Sequence, residues 1–256
     1  MTIGFIGQGY VGKAYADNFE RRGFDIVRYS LEPAYADNGA KILDCSIAFI
    51  CVPTPTARGR FDCSAVKESL GLLRAGAVAV IKSTLLPGMT VKLQEEFPDL
   101  DIMHAPEFLS VATAAADVAH PWGNIIGTAA DPRCSDFIHG LLPSAPFQLT
   151  CTGTQAELIK YAHNISATMQ ILTMNALYDV AVSQGADWAQ IATAIEADPH
   201  IPTRYSKPVV DGKRGAGGAC FEKDLGAFAT LSGEPFLREA GYYNRSLLAL
   251  DKGSDL

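Results

Sequence analysis

A cysteine placed just after a glycine-rich turn and four residues before an aspartate can do covalent chemistry. Residues Gly215-Ala216-Gly217-Gly218-Ala219-Cys220-Phe221-Glu222-Lys223-Asp224 have that form. Glycines let the backbone bend sharply and approach a ligand closely. A thiol there, with Lys223 and Asp224 nearby in sequence, has the makings of an activated nucleophile. At the other end of the chain stands Gly7-Gln8-Gly9-Tyr10-Val11-Gly12. Such a turn lets a pyrophosphate lie on backbone N–H groups at a helix N-terminus, where the dipole offsets its charge. A third group is Lys160 and Asn164 in Glu157-Leu158-Ile159-Lys160-Tyr161-Ala162-His163-Asn164. Four residues apart, they project from one helical face. An ammonium beside an amide can stabilise a developing alkoxide, although a solvated helix face is the plain alternative. Together these groups suggest an enzyme that oxidises a substrate with a dinucleotide while holding it on sulfur.

The elements that must position these residues fall into two classes. Apolar runs at Ile3–Ile6, Asp25–Tyr29, Ile47–Val52, Val78–Ile81, Asp101–His104 and Asn124–Ile126 read as strands. Helical stretches alternate with them, beginning with Val11–Arg22, as a parallel Rossmann-type sheet requires. The glycine turn follows the first strand and opens that helix, the context that separates a dinucleotide site from a merely tight turn. Near residue 150 the pattern turns helical. Thr154–Gln184 contains no glycine or proline, and Gly185 is placed to end it. A helix of that length spans about 45 Å, long enough to reach between domains or pack on a partner subunit. Trp188–Ala197 reads as a further helix, followed by a polar loop over 198–219 and helices over 221–250, broken near Gly233–Pro235. The expected fold is therefore α/β, with a Rossmann domain over 1–150 and an all-helical domain with a long central helix over 151–256.

Cofactor choice turns on the end of the second strand. Ser30 stands where an acid usually binds the ribose hydroxyls, with Glu32 two residues later. Arg21, Arg22 and Arg28 keep NADP open, and NAD is the favoured cofactor.

With 256 residues, 48% hydrophobic and 19% charged, the chain can bury a sizeable core. Its net charge of −7 argues against nonspecific nucleic-acid binding. None of the cysteines at 45, 51, 63, 134, 151 and 220 forms a CxxC pair, so no metal site is expected. No secretory signal or membrane span is read, which makes the cytoplasm the expected compartment.

Six ordered motifs carry a resemblance. These are GQGYVG, VPTPT at 52–56, STLLPG at 83–88, PEFL at 106–109, ELIKYAHN at 157–164 and GAGGACFEKD at 215–224. Over nearly its whole length the chain resembles the UDP-glucose/GDP-mannose dehydrogenase family. The resemblance implies oxidation of a sugar primary alcohol to a carboxylate by four electrons, with two NAD molecules in succession. Cys220 would form a thiohemiacetal and then a thioester. Lys160 and Asn164 would stabilise oxyanions, Asp224 and Thr84 would position or activate water, and Glu107 would serve as a base bordering the nicotinamide. Gly7, Gly9, Tyr10, Val11, Gly12, Ser30, Pro53, Thr54, Thr84, Glu107 and Lys223 would hold the cofactor. Phe108, Leu109, Lys160, Asn164, His200 and Gly217 would face the substrate, a sugar or nucleotide sugar, in a homodimer.

The chain also departs from the family pattern. Members usually continue into a third, Rossmann-like domain, and this chain resembles a short form without it. His200 stands in Asp198-Pro199-His200-Ile201 where an arginine is common, and Ser110-Val111-Ala112 replaces a charged continuation of PEFL. Histidine lacks arginine's planar bidentate contact, so a changed or smaller substrate is expected. Two rivals stay open: a two-electron β-hydroxyacid dehydrogenase, which would need no Cys220, and a noncatalytic binding or assembly protein on the same scaffold.

Overall fold

The run Thr2–Ile6 forms β1, and its neighbours Phe5 and Ile6 enter different core clusters because successive strand side chains point to opposite faces. The computed structural model describes residues 1–57, 60–129, 134–218 and 220–250, without the Ala57 side chain. Ala219 of the cysteine motif and residues 251–256 of the expected second domain lie outside the described residues. The chain forms two units: Met1–Pro55 with Phe61–Lys160, and Tyr161 onward with the described part of Thr56–Arg60.

In the first unit, β1 leads into α1 (Tyr10–Arg21) and β2 (Asp25–Tyr29). A short α2 (Gly39–Ile42) precedes β3 (Ile47–Ile50). After the two-residue strands β4 (Thr56–Ala57) and β5 (Arg60–Phe61), of which Thr56, Ala57 and Arg60 group with the second unit, come α3 (Ser64–Leu70), β6 (Val78–Ile81), α4 (Met89–Glu96) and β7 (Asp101–His104). Then follow α5 (Ala114–Ala119), β8 (Gly123–Thr128), α6 (Ser135–Leu141) and β9 (Phe147–Thr152). The main sheet has the order β2-β1-β3-β6-β7-β8-β9. The chain passes to opposite sides of β1, so the crevice between the ends of β1 and β3 is the topological switch point where such sheets bind ligands.

Two features differ from the expected parallel sheet. The strand β8 pairs antiparallel with β7, through His104 opposite Gly127, while every other neighbouring pair in this sheet is parallel. After β7 the chain packs α5 on α1, and β8 then enters from the C-terminal end of β7. The sheet also gains β9, which the sequence reading left out. Its side chains are mostly exposed or half-buried, so no apolar run marks it.

Alternation divides the core between the two sheet faces. Phe5, Phe19 and Phe49 pack together on one, with ring centroids 5.1–5.2 Å apart. Ile6, Ile50, Ile81 and Ile102 pack with Leu70 and Leu93 on the other. Each such fully buried side chain contributes roughly 1.5–3 kcal/mol.

The long helix α7 runs Gly153–Ser183, one residue earlier at each end than expected. Gly185, at φ +66°, ends it. Its buried side carries Glu157, Lys160, Asn164 and Thr168 at three- and four-residue spacing and Asn175 seven residues further on, a polar stripe. In the second unit α8 (Trp188–Ala197) occupies the expected span. The domain is not all helical: β10 (Val209–Val210) and β11 (Lys213–Arg214) pair antiparallel. Asp211 and Gly212 both have positive φ, 50° and 74°, the geometry of a tight hairpin turn. Next come α9 (Phe221–Ser232) and α10 (Pro235–Leu250), with Gly233 at φ +72° between them.

Candidate functional site

The glycine turn is built to bring backbone close to backbone. Gly7 has φ +90°, and its N–H donates to the Tyr29 carbonyl at 2.8 Å. A Cβ on Gly12 would fall 1.9 Å from the Gly7 oxygen, so only glycine lets α1 start this close to β1. A Cβ on Gly9, by contrast, would meet nothing within 4 Å. Gly9 thus faces open space ahead of Tyr10 and Val11, the first residues of α1, where a pyrophosphate fits the N–H groups. Ser30 follows β2 directly, and its Oγ accepts the Glu32 N–H at 3.2 Å.

The nearby arginines turn back onto the protein. Arg28 pairs with Asp17 at 2.8 Å and Glu20 at 2.9 Å. Arg22 donates to the Leu141 carbonyl at 2.7 Å, and Arg21 to the Asp17 carbonyl at 3.2 Å. Arg28 is thus committed to two carboxylates, and Arg21 and Arg22 stand at the end of α1 away from the glycine turn, which agrees with NAD.

Three strand ends close the same crevice. Thr54 Oγ1 donates to the Thr84 carbonyl at 2.9 Å, and Ser83 Oγ to the Val52 carbonyl at 2.7 Å. Pro53 stands exposed between them, and Thr84 is half-buried. After β7 the buried Glu107 accepts the Leu109 N–H at 2.6 Å. Lys160 Nζ donates to the Glu107 carbonyl at 2.5 Å and lies 3.5 Å from its carboxylate. The same ammonium sits 5.4 Å from the Phe108 ring centroid. The first unit therefore brings together Glu107, Phe108, Leu109 and Lys160.

The second unit gathers the other chemical groups. Asn164 Nδ2 donates to the Asp224 carboxylate at 2.6 Å, and Lys223 Nζ meets its other oxygen at 2.5 Å. The carboxylate is buried and committed on both sides. Lys223, expected on the cofactor, is engaged with Asp224. Cys220 caps the N-terminus of α9, half-buried and without a disulfide, and its carbonyl accepts the Asp224 N–H at 3.0 Å. Gly217 lines a groove of about 740 Å³ that also holds Lys207, Lys213 and Arg245. His200 lies on an exposed turn after α8, its N–H held by the Asp198 carboxylate at 2.9 Å. In the first unit, the altered Ser110–Ala112 segment is capped by Asp117, which accepts from the Ser110 N–H and the Thr113 hydroxyl.

Sequence reasoning gave no role to Glu157. Fully buried, it accepts from Gly88 N at 2.5 Å and from Thr90 N and Oγ1 at 2.6 Å. It thereby fastens α7 to the N-terminus of α4 one turn before Lys160. Burial pushes its carboxyl above the usual range, against the pull of those donors. Its place three residues before Lys160 in the same motif was the available signal.

Residues 30–141 match the NAD binding domain of the UDP-glucose/GDP-mannose dehydrogenase family, and residues 154–244 match its central domain. The chain belongs to the UDP-glucose/GDP-mannose dehydrogenase family. It is 28% identical to the UDP-glucose 6-dehydrogenase AglM of Haloferax volcanii, over 97% of this chain and 68% of that protein. It is also 28% identical to a putative UDP-glucose 6-dehydrogenase, YtcA, of Bacillus subtilis, over 81% of this chain and 52% of that one. A UDP-glucose dehydrogenase from Pyrobaculum islandicum shares the fold with a TM-score of 0.84, at 24% identity, over 96% of this chain and 68% of that one. The chain thus spans between about half and two-thirds of these proteins. As a family member it carries the domain that binds NAD, and the glycine turn fits that cofactor.

Proposed function

We propose that this family member oxidises the primary alcohol of a sugar or nucleotide sugar to a carboxylate, through covalent attachment to Cys220. The observation that carries the reading is the buried polar stripe of α7, which aims Lys160 at Glu107 and, one turn later, Asn164 at Asp224. A buried ammonium and amide match the charge that develops on a substrate oxygen.

When bound, NAD accepts one hydride in each of the two oxidations. Gly7, Gly9, Gly12, Ser30, Pro53 and Thr54 hold it, with 1–150 as the dinucleotide domain and 151–256 supplying the thiol. Lys160 and Asn164 stabilise the alkoxide as the alcohol becomes an aldehyde. Cys220 Sγ then bonds to the aldehyde carbon, and loss of a second hydride equivalent from that thiohemiacetal leaves a thioester. Water, positioned by Asp224, Thr84 and Glu107, adds to the thioester and breaks the carbon–sulfur bond, which regenerates the thiol. Alcohol plus water become carboxylate, two hydrides and three protons.

The groove with Lys207, Lys213 and Arg245 supports a phosphorylated substrate in a chain of net charge −7. The exposed Leu177, Val180 and Val182 on α7 support a homodimer. Among the described residues no helix is long and apolar enough to cross a membrane. Cys45, Cys51, Cys63 and Cys151 carry free thiols, which suits the cytoplasm. A panel of nucleotide sugars and simpler primary alcohols, followed by NADH absorbance, tests the reading. Turnover by the wild type and none by Cys220→Ala supports it, and acid formation by Cys220→Ala at the wild-type rate refutes it.

A further inference from the structure

Helix α10 buries Leu237, Asn244 and Leu247, and the middle one of these is polar. Asn244 is fully buried. Its Oδ1 accepts the Ala216 N–H at 2.7 Å, and its Nδ2 donates to the Ala216 carbonyl at 3.0 Å. A side-chain amide and a backbone amide are the same chemical group, so the two exchange bonds as facing residues of adjacent antiparallel strands do. Ala216 is 1% exposed, and neither of its backbone groups can turn to water instead. Leucine would suit the apolar surface beside Leu247 but would leave both groups unpaired, a costly state for buried backbone.

The neighbouring residues show what this pairing holds. Arg214, the last residue of β11, is tied to α7. Its Nε donates to Asn175 Oδ1 at 2.9 Å, its Nη2 to the Asn175 carbonyl at 3.2 Å, and its Nη1 meets Asp179 at 2.7 Å. Gly215 follows at φ +78°, where a Cβ would fall 3.1 Å from both Asn244 Oδ1 and Leu247 Cβ. Beyond Ala216 the packing opens. A Cβ on Gly217 would meet Leu248 alone within 4 Å, and one on Gly218, at φ +80°, would meet nothing among the described residues. Glycine loses more conformational freedom on folding than any other residue, so such a stretch wanders unless both ends are fixed. The far end is fixed at α9, where the Cys220 carbonyl accepts the Asp224 N–H and the Asp224 carboxylate meets Asn164. The near end is fixed by Asn244.

We infer that Asn244 is a positioning residue: it pins the start of the glycine stretch and so keeps the Cys220 thiol in one half-buried setting at the head of α9. That this thiol is the nucleophile rests on the function proposed above. The pin on the loop does not.

The test uses the full chain and no substrate. Each protein is treated with iodoacetamide at one pH, and the alkylation rate of each cysteine is read by peptide mass spectrometry. Cys63, half-buried in the first unit, is the control within the same molecule. Asn244→Ala removes both bonds, whereas Asn244→Asp keeps an acceptor for the Ala216 N–H and loses the donor. The Cys220 rate, relative to that of Cys63, should rise about fivefold or more in Asn244→Ala as local opening exposes the thiol more often. It should rise less in Asn244→Asp, and hydrogen exchange over 215–218 should speed up in the same order. Asn244→Asp carries the test alone if Asn244→Ala does not fold. An unchanged ratio of Cys220 to Cys63 rates in a folded variant would overturn the inference, and so would a common rise of both, which marks general loosening. Iodoacetamide reports the thiol whether or not any sugar is turned over, so a failed dehydrogenase assay leaves this result standing.

Discussion

The Asn164 amide donates to the Asp224 carboxylate at 2.6 Å, tying the long helix to the first turn of the helix that Cys220 caps. The carboxylate is 1% exposed, and its other oxygen faces Lys223. Removing the donor of a buried hydrogen bond to a carboxylate leaves the carboxylate short of a partner. Asn164→Leu should therefore destabilise the protein by about 2 kcal/mol, read by urea unfolding. Asp224→Asn keeps a hydrogen-bonding side chain and should unfold within about 1 kcal/mol of the wild type. A near-neutral Asn164→Leu would show that this bond carries little.

Gly9 and Gly12 should separate binding from folding. Gly12→Ala forces a Cβ to within 1.9 Å of a backbone oxygen and should lower stability by about 3 kcal/mol or more. Gly9→Ala meets nothing within 4 Å and should unfold within about 0.5 kcal/mol of the wild type. Its methyl would occupy the pyrophosphate's place, so NADH affinity, measured by fluorescence titration, should fall tenfold or more. Unchanged NADH binding by Gly9→Ala would move the cofactor away from this turn.

Arg28 is held by Asp17 and Glu20 at the edge where a 2′-phosphate would lie. NADH should bind at least about tenfold more tightly than NADPH, a difference of about 1.4 kcal/mol. Equal affinity in parallel titrations would mean that those ion pairs open readily.

Glu157 has a carboxyl raised above its ordinary value by burial, so the folded state holds its proton more tightly than the unfolded chain does. Stability from this group falls as pH rises through the window just above the ordinary carboxylate value, and returns as pH drops through it. The wild type should therefore gain on Glu157→Gln as the solution is acidified from neutral into that window. Chemical denaturation of both proteins across the range checks the slope, and an opposite slope would mean that the three donors outweigh burial.

How far the sequence could be read depended on periodicity and punctuation. Ile3–Ile6 and Val78–Ile81 announced their strands because both faces are buried, and Gly185 marked the end of α7 through its left-handed backbone. Phe147–Thr152 stayed hidden because pairing with β8, not apolar content, makes it a strand. The direction of β8 was also illegible, since alternation looks the same in either sense. The Asp211-Gly212 turn was a readable hairpin signal that the polar loop obscured. Motif order singled out Lys160 and Asn164 on α7, and Cys220 and Asp224 at the start of α9. The anchoring by Glu157 and Asn244 needed coordinates, because their partners are backbone groups tens of residues away.

NADH counted per molecule of substrate consumed tests the covalent oxidation most directly. Once a member of the panel is turned over, two NADH should form for each alcohol converted, with carboxylate as the final product. One NADH per molecule, ending at an aldehyde or ketone, would contradict the role given to Cys220 and return the chain to simple two-electron chemistry.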